Sequence, residues 1–154
     1  MMLNISTEIM IHASAERVWK ILTTFEEYPV WNPFFQSIQG VLQKDQTIKI
    51  LLYKPHTKKK GMSFSPVVLV CDHARKLRWK GKLLFKGIFD GEHYFQIESI
   101  NAYTVKFIHG EIFSGILIPI MKNNLRWNLQ SGFDEMNNAL KAQAERVSVK
   151  LENV

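Results

Sequence analysis

Ile5, Thr7, Ile9 and Ile11 alternate with polar or small neighbours near the start of the chain, a period of two that predicts a strand with one buried face. The period changes at Ala13 and Ser14. From there Val18, Trp19, Leu22 and Phe25 recur at helical spacing, with Ser14 as the expected N-cap and Glu16 favouring the positive end of the helix dipole. This helix is expected to end near Thr24. The segment from Glu26 to Phe35 holds Pro29 and Pro33, which oppose a long regular helix, and crowds Tyr28, Trp31, Phe34 and Phe35 around them. Such an aromatic, irregular stretch predicts a plug against an apolar interior.

Alternating or β-rich runs follow at Ser37–Leu42, Thr47–Lys54, Met62–Asp72, Leu77–Gly81, Gly91–Ser99 and Tyr103–Ile112, roughly seven strands with the first. Short polar or glycine-containing connections favour consecutive antiparallel hairpins, so the sheet is expected to be a meander. From Pro119 onward Leu125, Leu129, Phe133, Met136, Leu140, Ala144 and Val147 advance by three or four residues, leaving Lys141, Glu145 and Lys150 for solvent. Pro119 suits the start of this helix of about 30 residues. Gly132 weakens its middle by roughly 1 kcal/mol relative to alanine, and either admits a close neighbour or leaves room for a ligand. The order strand, helices, strands, helix is that of an α+β protein, and 154 residues without linker, repeat or low-complexity break fit one domain, 1–154.

Composition narrows the class without naming a function. Hydrophobic residues make up 46% and charged residues 22%, values at which a folded core is expected. No apolar run reaches the roughly 18 residues of a membrane span, and the first ten residues lack a signal-peptide layout, so the expected location is the cytoplasm. The single cysteine, Cys71, fits a reducing compartment and is expected to be a small buried core residue. A net charge of +6 raises nucleic acid as a partner, but the densest basic run, Lys58 to Lys60 beside Lys54 and His56, is flanked by the turn residues Pro55 and Gly61. It lacks interleaved stacking aromatics and reads as a solvated hairpin tip, which disfavours nucleic acid.

The run Ile11, Ala13, Ser14, Glu16, Val18, Trp19, followed by Tyr28, Trp31, Asn32 and Pro33, resembles the opening of the SRPBCC superfamily. The resemblance continues through Trp79, the stretch from Asp90 to Phe95, and Glu111, Phe113, Ser114, Gly115, Leu117 and Pro119, and is greatest to the small polyketide cyclase/dehydrase-like branch. It implies a helix-grip fold: a seven-stranded curved antiparallel sheet around a long C-terminal helix, with two short helices after the first strand. It also implies a pocket, since members bind lipids, hormones, polyketide intermediates or aromatic compounds. Only some are enzymes, and no residue here matches the active-site motif of a characterised cyclase.

Strand alternation adds a polar feature to that interior. If Phe95 and Ile97 face the helix then so does His93, and if Val105 and Phe107 face it then so do His109 and Glu111. A turn centred on Ile100 to Ala102 pairs Ile97 with Val105, Phe95 with Phe107 and His93 with His109, bringing the imidazoles together beside Glu111. Three readings stand: the groups satisfy one another or solvent, they anchor a ligand's polar group, or a neutral histidine beside the carboxylate acts as general base. Trp31, Phe34, Tyr53 and Trp79 are candidate apolar lining, as are Phe95, Phe107 and Met136, although each type is equally at home in a core. Trp127 shares that ambiguity.

The sequence has no compact metal motif, phosphate-cradling glycine loop, nucleophile elbow or Cys-x-x-Cys, so no metal or cofactor is expected. The leading expectation is a binding protein for a hydrophobic small molecule such as a lipid, polyketide or aromatic metabolite. The alternatives are an enzyme of cyclase, dehydratase or hydrolase type built on the His/Glu group, or a partner-binding module acting through the basic surface or the plug from Trp31 to Phe35.

Overall fold

The computed structural model describes residues 2–83 and 87–152, with the side chains of 83 and 147–152 left aside; the helical faces expected for Val147 and Lys150 lie outside the described side chains. Strand β1 (Met2–Ile11) leads into helix α1 (Ala15–Thr23), a 3-10 turn (Phe25–Glu27) and the four-residue helix α2 (Tyr28–Trp31). Ser14 caps α1 as expected, its Oγ accepting from Arg17 N at 3.1 Å. Asn32 closes the aromatic segment: its Oδ1 accepts from the amides of Phe34 and Phe35, both at 2.9 Å, and so turns the chain from α2 into β2.

Seven further strands follow, β2 (Phe35–Gln39), β3 (Lys49–Tyr53), β4 (Lys60–Phe64), β5 (Val67–Asp72), β6 (Lys76–Leu83), β7 (Phe89–Asn101) and β8 (Thr104–Ser114), and then helix α3 (Ile118–Glu152). They form two antiparallel sheets, one in the order β1-β8-β7-β6-β5 and one in the order β2-β3-β4. The expected single strand from Met62 to Asp72 is therefore two. Pro66 has no N–H to continue a ladder, and the chain breaks there between β4 and β5. The sheets stay joined through a Thr47–Val67 bridge, with Ile48 N donating to Pro66 O at 3.0 Å and Val68 N to Gln46 O at 2.9 Å.

Helix α3 packs against β1, β8 and α1. Phe133, Met136, Leu140 and Ala144 are buried along its inner face, as its spacing implies. Gly132 serves close packing, because a Cβ there would stand 2.9 Å from a ring carbon of Phe34. Among the described residues, no helix is long and apolar enough to cross a membrane.

Two placements differ from expectation. Cys71 is exposed, not buried: β5 is the edge strand, and although Cys71 pairs with the buried Leu77, that part of the edge is left uncovered. Trp127 is 79% exposed on the outer face of α3 and belongs neither to the core nor to an interior wall. The basic run forms the exposed tip of the β3–β4 hairpin.

Candidate functional site

The hairpin of β7 and β8 carries the polar group, in a register shifted by two residues from the one expected. Ile97 pairs with Phe107, Phe95 with His109, and His93 with Glu111. The shift follows from the turn, where Asn101 Oδ1 accepts from Tyr103 N at 2.9 Å and carries the reversal one residue further along the chain. A shift of two preserves which side chains face inward. His93 and His109 thus become diagonal neighbours and still meet, Nε2 to Nε2 at 2.8 Å.

Around that contact lies a connected chain. His93 Nδ1 is 3.3 Å from Glu111 Oε2, and His109 Nδ1 is 3.0 Å from Asn137 Oδ1. Asn137 Nδ2 donates to Thr7 Oγ1 at 2.8 Å, and Thr7 Oγ1 donates to the carbonyl of His109 at 2.9 Å. Aromatic faces hold the rings: His93 stacks on Trp79 with centroids 5.3 Å apart, and His109 stacks on Phe133 at 4.2 Å. Both nitrogens of each histidine are engaged, so neither imidazole offers a free lone pair for general-base work. Among the described residues no group of three or more His, Cys, Asp or Glu side chains is placed to hold a metal ion.

Burial sets the protonation states. It pushes the His93 imidazole down to about 3. His109 is likewise held well below the usual range by burial and by His93, against the opposing pull of Asn137 and the Phe133 carbonyl. Burial also pushes the Glu111 carboxyl up to about 8, although 16% of its side chain keeps access to solvent. Both histidines are thus neutral near pH 7, and Glu111 tends towards the neutral acid.

Glu111 and His93, with Lys82 at the rim, form the polar part of the wall of an inner cavity of about 110 Å³, whose apolar walls include Phe34, Phe35, Leu52, Phe64, Phe89, Phe113, Leu125 and Leu129. Gly91 makes the seat for the carboxyl, because a Cβ there would stand 2.6 Å from Glu111 Oε1. Phe34, Leu52, Met62, Leu125 and Leu129 also line an outer groove of about 450 Å³ that runs between the β3–β4 hairpin and α3. His56 ties the hairpin tip to α3 beside this groove, through Glu135 Oε1 at 3.1 Å and Ser131 Oγ at 3.2 Å.

Of the side chains singled out as apolar lining, Phe34 borders both spaces and Tyr53 the outer groove. Trp79, Phe95, Phe107 and Met136 are buried in the packed core and line neither; Trp31 flanks a separate surface depression with Pro29 and Val30. Of the aromatic plug, Tyr28 and Phe35 are buried and Trp31 and Phe34 partly buried, while Val30 beside them is exposed. The sequence reading missed Thr7 and Asn137 as polar partners. Both carried a signal: Thr7 lies in the inward set of β1, and Asn137 lies four residues after Phe133 on the buried stripe.

Antiparallel sheets packed with a long C-terminal helix around an apolar cavity define a helix-grip-like protein. Similar solved structures share the architecture at low identity. The Zhui aromatase/cyclase of a Streptomyces species is 14% identical with a TM-score of 0.73 over 95% of each chain. A START superfamily protein of Mycobacterium smegmatis is 16% identical with a TM-score of 0.71, over 94% of this chain and 98% of that one. Truncated norcoclaurine synthase of Thalictrum flavum is 11% identical with a TM-score of 0.67 over 92% of each chain. At these identities the likeness concerns the fold alone. No curated protein matches by sequence. The family described as polyketide cyclase / dehydrase and lipid transport matches residues 2–145, and the chain belongs to it.

Proposed function

We propose that this protein binds an apolar small molecule of the lipid, polyketide or aromatic class in the inner cavity and its outer groove. The observation that supports this most is the composition of the inner wall, which is apolar except for Glu111, His93 and the rim lysine Lys82. Enclosure supplies the affinity. A ligand losing roughly 300 Å² of apolar surface gains about 7 kcal/mol before the costs of binding. Glu111 then fixes orientation, being the group of the His93, His109 and Glu111 trio with an oxygen not already bonded among the described residues.

The test is native mass spectrometry of freshly purified protein, with denaturing extraction to identify a carried molecule, followed by titration with naphthol. Binding at one-to-one stoichiometry is expected. Leu125→Trp, which fills the wall shared by both spaces, should weaken it at least tenfold. Undiminished binding to a folded Leu125→Trp variant places the ligand elsewhere and overturns the proposal.

A further inference from the structure

The chain from Thr7 to Glu111 has a direction that the backbone fixes. The carbonyl of His109 only accepts, so Thr7 Oγ1 spends its proton there and must itself accept from Asn137. This orients the Asn137 amide with Nδ2 towards Thr7 and Oδ1 towards His109. His109 Nδ1 therefore carries a proton, and a neutral His109 presents a lone pair at Nε2. His93 fills that lone pair with its Nε2–H, which leaves His93 Nδ1 as an acceptor facing Glu111 Oε2. The carboxyl must supply the last proton. Placing that proton on either ring instead would leave an imidazolium and a carboxylate in a dry interior, and burial opposes both charges.

Oε2–H is thus spent on His93, and the other oxygen, Oε1, has no hydrogen-bond partner among the described residues. Resting on the reading above that the cavity holds a small molecule, we infer that Glu111 Oε1 is the carbonyl end of a neutral acid and selects a ligand by hydrogen-bond polarity, accepting from the hydroxyl of a neutral alcohol or phenol. Ethers, ketones and carboxylates offer only acceptors to an acceptor and are disfavoured at this point of the wall. Gly91 is the specificity-determining neighbour, since it leaves the space in which Oε1 sits. Lys82 on the rim is exposed and adds a charge without a hydrogen bond to the carboxyl among the described residues.

The experiment compares naphthol with its methyl ether, two probes of one skeleton that differ in a donor, against the full chain and its Glu111→Gln and Glu111→Leu variants at mildly acidic pH. Naphthol should bind the native protein about five- to tenfold more tightly than the ether. Glu111→Gln should keep that ratio, because its amide donates to His93 Nδ1 while its carbonyl still accepts; Glu111→Leu should bring the ratio close to one. Equal binding of both probes to the native protein, or loss of the preference in Glu111→Gln, overturns the inference. If neither probe binds, the cavity reading and its ligand class fall together. The proton positions are checked separately by long-range proton–nitrogen NMR of the histidine rings, expected to show both neutral, with the proton on Nε2 of His93 and on Nδ1 of His109. An imidazolium signal from either ring rules out the neutral acid whatever the probes do.

Discussion

One end of the interior is packed and the other is hollow, although β7, β8 and α3 run through both. At the packed end Phe95, Ile97, Val105 and Phe107 meet Met136, Leu140 and Ala144 of α3 with Val18 and Leu22 of α1, and all are buried in one cluster. At the hollow end Phe113 and Phe89 face Leu125 and Leu129, which are only partly buried, and the cover comes from Leu52, Met62 and Phe64 of the smaller sheet. The difference lies in the cover. Helix α1 packs against both α3 and β7, filling the space at its end. The β2-β3-β4 sheet arches over the other end and leaves the cavity and groove beneath it. The histidine chain stands on the boundary, anchored by Asn137 and Thr7 among buried neighbours and ending at Glu111 in the cavity wall.

The contrast is broken most severely by truncation at the packed end. Phe107→Ala should cost about 3–5 kcal/mol in denaturant unfolding, whereas Leu125→Ala on the cavity wall should cost about 1 kcal/mol or less, because that site is already partly open. Similar costs at the two positions would contradict the distinction. Asn137→Leu should lose about 2–3 kcal/mol by leaving a donor on His109 and an acceptor on Thr7 without partners, and urea midpoints measure it.

The pH dependence of stability sharpens the boundary further. His93 falls from 6.5 to about 3 on folding, and His109 also falls, so their contribution is present above pH 6.5 and is lost on acidification below it. Glu111 rises from 4.5 to about 8, so the native state holds a proton that the unfolded chain has released, and this contribution declines as pH rises through that window. Above about pH 7 the histidines are mostly neutral in both states and Glu111 dominates the slope among the three. Glu111→Gln should therefore flatten an alkaline decline of about 1 kcal/mol between pH 7 and 8 and leave the acid limb in place, as read from urea midpoints across pH. The smallest effect is expected at the groove, where His56→Ala should change stability by less than about 0.5 kcal/mol, since its contact with Glu135 is half exposed, while raising the off-rate of a bound probe in stopped flow.

The order of elements, the N-cap at Ser14 and the inward faces of β1, β7 and β8 were legible in the sequence because they follow from local periodicity and capping. The meeting of His93 with His109 was legible for a subtler reason: a register error of two residues keeps every side chain on its face. What the sequence reading missed depends on long-range placement. Trp79 and Phe107 have the composition of lining residues, and only their packing against Phe35 and Phe95 makes them core. Likewise Leu52 and Leu129 have the composition of core, and only the arch of the second sheet makes them walls. Cys71 was misplaced because alternation reports a face and not whether a strand lies at an edge.

That exposed cysteine has a practical corollary. As the sole thiol of the chain, on the edge strand opposite Leu77 of the packed end, Cys71 provides one attachment point for a fluorophore or spin label without mutagenesis. Partial burial and the neighbouring Asp72 push its thiol up, so conjugation should be slow at neutral pH and quicken in mild alkali. A label there leaves the cavity wall untouched, and the native chain can report on filling of its hollow end from a reporter carried at the other.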